Sequence, residues 1–106
     1  MTFTPNTWHA RRQARLTSDE QLHWVNVGQI IKEMSGADLL RVIPDYREIR
    51  FQAFLPNEHG AQWGFQITVC VHHYTCRRHD PFTPPEIVKQ ANELARQMHD
   101  AFLLLI

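Results

Sequence analysis

Cysteine is scarce in this chain, and the scarcity sets a first limit. Cys70 and Cys76 are the two present among 106 residues, too few for the disulfide framework that small secreted domains depend on. If the segment between them is extended, at about 3.3 Å per residue their α-carbons stand about 20 Å apart, against a disulfide's reach of about 7 Å. A bridge would need a sharp turn. Glycine is also sparse, with four residues, and none sits in a phosphate-cradling loop. His-Glu-x-x-His and Gly-x-Ser-x-Gly are missing as well, which removes the commonest signatures of zinc-dependent and serine hydrolysis. No cofactor is expected, and no enzymatic activity.

Two further absences concern the surroundings. No stretch approaches the roughly 18 consecutive apolar residues of a membrane span. The opening "MTFTPNTWHARRQARL" lacks the apolar core of a signal peptide, so the expectation is a cytoplasmic protein without membrane contact. Excess charge is absent too: eleven basic side chains balance eleven acidic ones. The long-range positive field that draws proteins to nucleic acids or anionic membranes is therefore missing, and only a local basic patch could serve.

What is present suffices for one modest core. The hydrophobic fraction is 43%, with six phenylalanines and three tryptophans, and the length suits a single domain over 1–106. Residues 1–16 read as either a mobile basic arm or a short helix. In "TSDEQLHWVNVGQIIKEMSG", Thr17 and Glu20 form a capping box and Gly36 a left-handed stop, so a helix is expected over about 18–35. Its stripe runs through Leu22, Val25 or Trp24, Val27, Ile30, Ile31 and Met34. Gly28 weakens that helix slightly. "DLLRVI", 38–43, leans to strand before Pro44.

"REIRFQAFL" and "WGFQITVCVHHY" both alternate with period two and should form an antiparallel hairpin. Pairing Leu55 with Trp63, Ala53 with Phe65, Phe51 with Ile67 and Ile49 with Val69 puts every apolar residue on one side. The other side then holds Tyr46, Glu48, Arg50, Gln52 and Phe54 beside Gln66, Thr68, Cys70, His72 and Tyr74. A last helix starts at "TPPE", with Thr83 as cap, Pro84 as first helical residue and Glu86 completing the box. It buries Ile87, Val88, Ala91, Leu94, Ala95, Met98, Phe102 and Leu105. The expected architecture is a small two-layer α+β domain in helix-strands-helix order, with an antiparallel sheet of 2–3 strands and both helices on one face.

The densest chemistry lies in "CVHHYTCRRH", residues 70–79. A zinc ion bound there would take Cys70, His72, Cys76 and His79, yet the spacing Cys-x-His-x3-Cys-x2-His matches no established paired-ligand pattern. Either cysteine could pair with His72, His73 or His79, oriented by Asp80 or Glu48, without any family signature around it. Nucleic-acid contact would rest on Arg11, Arg12 and Arg15 at one end and Arg77 and Arg78 at the other, with aromatics to stack bases. Seven histidines would make the chain cationic as pH falls through about 6.5.

What remains is action through a surface. The expected contact residues are Arg50, Phe54, His72, Tyr74, Arg77 and Arg78, since arginine and aromatic side chains carry most interface energy. The apolar end with Phe102, Leu104 and Ile106 suggests a homodimer contact. The sequence is read as a small protein-binding module, an adaptor or an inhibitor that occludes a partner's surface. Size and the lack of catalytic motifs would suit an accessory protein of a phage or mobile element. The alternative is a nucleic-acid-associated or zinc-stabilised module using residues 70–79.

Overall fold

The computed structural model describes residues 16–44 and 46–106; the expectation for 1–16 therefore falls, but for Leu16, outside the described residues. Helix α1, Ser18–Ser35, begins where Thr17 Oγ1 accepts from Glu20 N at 3.1 Å and Thr17 N donates to Glu20 Oε1 at 3.0 Å. Gly36, at φ 73°, closes it with its N–H on Lys32 O. Four strands follow: β1 Asp38–Ile43, β2 Glu48–Pro56, β3 Gln62–Val69 and β4 Tyr74–Arg78. Helix α2, Pro85–Leu105, ends the chain. The strands form one antiparallel sheet in the order β1-β2-β3-β4.

The β2–β3 register agrees at every position with the pairing the alternation implies, from Ile49 opposite Val69 to Leu55 opposite Trp63. Asn57 shapes their loop: its side-chain oxygen accepts from His59 N and Ala61 N at 2.9 Å each, and Gly60 supplies φ 84°. On the inward face of the sheet Ile49, Phe51, Ala53, Phe65, Ile67 and Val69 are buried beneath the two helices. Ala91, Ala95, Met98 and Phe102 of α2 meet it.

Four elements depart from expectation. The sheet has four strands, because β3 stops at Val69 and Cys70 N donates to His73 O at 3.0 Å, a tight turn that sends 74–78 back as β4. "YTCRR" carries too little apolar periodicity to announce itself. In α1 the buried side chains are Trp24, Val27 and Ile31, with Gly28 against the sheet, while Leu22 and Met34 stay exposed. The helix is rotated so that Gly28 faces the sheet: a β-carbon there would stand 3.1 Å from Leu39 Cδ1 and 3.3 Å from Ile49 Cγ2. At the start of α2, Thr83 does not cap; its hydroxyl donates to Asp80 O at 2.6 Å, Pro84 takes the cap position and Pro85 opens the helix. Finally, Phe102 is fully buried, its ring 5.0 Å from Trp24, so it cannot serve a homodimer contact; Leu104 and Ile106 remain exposed.

Candidate functional site

Both helices cover one face of the sheet, and no described element covers the other. Residues opposite each other in register share a face, so the open side can be read as rows. Phe54 lies beside Gly64, whose carbonyl accepts from His79 N at 3.0 Å. The next row is Asp38, Gln52, Gln66 and Arg77, and the next Arg41, Arg50, Thr68 and Thr75. Glu48 and Ile43 complete it at the β1–β2 end.

Phe54 is 49% exposed in this setting. A β-carbon on Gly64 would meet His79 Nδ1 at 2.6 Å and Phe54 Cε1 at 3.2 Å, so the glycine is what lets ring and imidazole close over the strand between them. Sequence reading passed over Gly64 and placed His79 among metal ligands and among possible partners of a cysteine, not beside Phe54. A glycine inside a period-two run was the available signal, since it often marks close approach of another group.

Arg41 stands directly opposite Arg50, and like charges in that position destabilise a sheet. No carboxylate among the described residues pairs with Arg41, Arg50 or Arg77, the ion pairs being confined to His59 with Glu58 and to Arg96 with Glu93 and Asp100. Arg50 Nε is shielded from solvent and finds no hydrogen-bond partner among the described residues. The charge is segregated by layer. Strands hold Arg41, Arg50, Arg77 and Arg78 against Asp38 and Glu48, while the helices hold Asp19, Glu20, Glu33, Glu86, Glu93 and Asp100 against Lys32, Lys89 and Arg96.

Of the six expected contact residues, Arg50, Phe54 and Arg77 share the open face. Tyr74 does not: it pairs with Val69 and therefore faces the helices, its ring 5.2 Å from that of His99. Arg78, opposite Phe65, also lies on the helix side. His72 is exposed in the β3–β4 turn, off the sheet altogether. The cause is the turn at 70–73, which reverses the chain where an unbroken strand was expected.

The same turn separates the four metal-ligand candidates. Cys76, opposite Ile67, faces the helices, while His79 lies with Phe54 on the other side. Cys70 is buried, with Sγ 3.2 Å from His73 Nδ1. Among the described residues no three His, Cys, Asp or Glu side chains gather where they could hold a metal ion. Both cysteines are free, and burial pushes the Cys76 thiol up to about 11, which removes its thiolate at neutral pH. His99, which the sequence did not single out, joins α2 to the end of β3 through Nε2 and Cys70 O, 2.9 Å apart. Arg11, Arg12 and Arg15 lie outside the described residues. No helix among those residues is long and apolar enough to cross a membrane. Compared with known families, curated proteins and solved structures, the chain matches none.

Proposed function

We propose that this protein is a non-enzymatic binding module that covers part of a partner protein with its open sheet face, as an adaptor or an inhibitor does. The observation that carries the reading is Arg41 opposite Arg50 on a face that no described element covers, with Phe54 and Arg77 nearby. A sheet tolerates such local repulsion where another requirement outweighs it, and an anionic partner surface supplies that requirement. Phe54 is the apolar anchor and the arginines set which partners are accepted.

Single-stranded nucleic acid is the competing occupant, since arginines and an exposed ring also suit it. Protein is favoured because, among the described residues, the open face offers Phe54 as its one phenyl or indole ring, whereas stacking platforms use several, and because the total charge is zero. The exposed Leu104 and Ile106 leave the end of α2 as a further place for self-association, read directly from the mass of the free protein. A photo-crosslinking amino acid in place of Gln66 tests the main reading. It should trap a discrete polypeptide in the native cell, the band should vanish with Phe54→Ala, and the same probe at Gln90 on α2 should trap nothing. Nucleic acid in the adduct, or equal trapping at Gln90, would overturn it.

A further inference from the structure

The outer edge of β4 plays no part in the open-face reading. Cys70 N donates to His73 O, and His79 N to Gly64 O, each at 3.0 Å. Between them the register pairs Thr68 with Thr75 and Gln66 with Arg77. Hydrogen-bonded pairs alternate along an antiparallel ladder, so Thr75 and Arg77 turn their backbone groups towards β3. Tyr74, Cys76 and Arg78 turn theirs outwards. No strand lies beyond β4 among the described residues. The opposite edge, β1, is interrupted between Leu39 and Arg41, whereas β4 runs through all five of its residues unbroken.

Beside this edge a groove of about 360 Å³ opens between β4 and α2, lined by Phe65, Cys76, Arg77, Arg78, Val88 and Asn92. Its apolar part is Phe65, Cys76 and Val88; its charged part is two arginines, one on each face of the sheet. β4 carries no acid. Pairing with the same strand of a second copy would line up four arginines along one seam, and charge on an edge is how sheets keep identical sheets away. An acidic strand meets the same two arginines as partners.

We propose that β4 accepts a partner polypeptide as a fifth strand, and that the accepted segment is extended and acidic, with an apolar side chain entering the groove over Phe65 and Val88. The outward groups of Tyr74, Cys76 and Arg78 supply the main-chain bonds, and the groove with its two arginines supplies selectivity. This goes beyond the open-face reading: Arg77 is common to both, but the outward backbone groups, the groove and Arg78 involve neither Phe54, Arg41 nor Arg50.

A display library of short random peptides, panned against the full chain, tests it. Recovered peptides should alternate acidic and apolar residues. They should slow hydrogen exchange at the Tyr74, Cys76 and Arg78 amides, leaving Thr75 and Arg77 unchanged. Arg78→Pro removes one outward N–H and one charge at an edge position that tolerates proline, and should weaken binding by about tenfold or more. Where Arg78→Pro loses the fold by circular dichroism, the double variant Arg77→Ala with Arg78→Ala reads the same loss through charge. Phe54→Ala should leave peptide binding intact, which separates this result from the fate of the open face. The proposal is overturned by recovery of acid-poor peptides or of none, or by binding indifferent to the arginine variants. Protection of the three amides that grows with protein concentration alone would overturn it too, assigning the edge to a second copy.

Discussion

The rings of Trp24 and Phe102 stand 5.0 Å apart at an angle of 47°, joining α1 to α2. This contact divides the apolar end of the chain: Phe102 belongs to the core, while Leu104 is 87% exposed. Phe102→Ala should cost about 3–5 kcal/mol, a large share of the roughly 5–15 kcal/mol that holds a domain together. Leu104→Ala should stay within about 0.5 kcal/mol. Urea denaturation of the two variants side by side measures the difference; equal midpoints would contradict the packing.

Gly28 faces Leu39 and Ile49 closely enough that a β-carbon would crowd both. A larger residue gains helix propensity, worth about 1 kcal/mol over glycine, but must push α1 off the sheet. Gly28→Leu should therefore lower stability by about 1–3 kcal/mol in net terms. A thermal melt that rises with this variant would show that the helix does not approach so closely.

Cys76 makes stability depend on alkaline pH. Burial raises its pKa from 9.0 to about 11, so the fold prefers the neutral thiol. Below about pH 9 the thiol is protonated in both folded and unfolded chains and the stabilisation is complete. As pH climbs towards about 11 the unfolded chain releases its proton first, and stability falls. Cys76→Ser should flatten that decline in urea midpoints taken between pH 8 and pH 11. In the wild type the thiol should react slowly with a disulfide reagent at neutral pH.

Thr17 and Glu20 act at the other end of the scale. The Thr17 amide and hydroxyl hold the Glu20 carboxyl below its ordinary range, so this contribution is present above that range and disappears as pH falls through the lowered value. Glu20→Gln should reduce the acid sensitivity of stability, followed by circular dichroism from pH 7 to pH 3. Thr17→Ala should cost about 1 kcal/mol at neutral pH, and an unchanged melting temperature would dismiss the cap as ornamental.

The sequence allowed α1 and the β2–β3 register to be read because each rests on local chemistry: a capping box, a left-handed glycine, an alternation that admits one register with its apolar side buried. Residues 38–43 only leaned to strand, since six residues before a proline carry no such signal. β4 escaped because Tyr74, Cys76 and Arg78 are its inward residues and Thr75 and Arg77 its outward ones, a contrast too weak to separate from loop. That miss moved Tyr74 and His72 onto the wrong face. Arg50, Phe54 and Arg77 could still be placed in one candidate set, since arginine and phenylalanine on a polar strand face are conspicuous anywhere. Gly64 and Arg41 could not be: the meaning of Gly64 depends on His79, which comes beside it only through β4, and that of Arg41 on Arg50, which stands opposite it only once β1 is paired.

The strand order β1-β2-β3-β4 also bears on how the chain folds. Each strand pairs with its neighbour in sequence, so the sheet can assemble by successive short closures, with little loop entropy lost at each. The meeting of α1 with α2 is different, because it joins opposite ends of the chain and gains little until the sheet beneath exists. Docking of the two helices should then come late, so mutations at Trp24 or Phe102 should chiefly speed unfolding, whereas mutations at the β2–β3 hairpin should slow refolding.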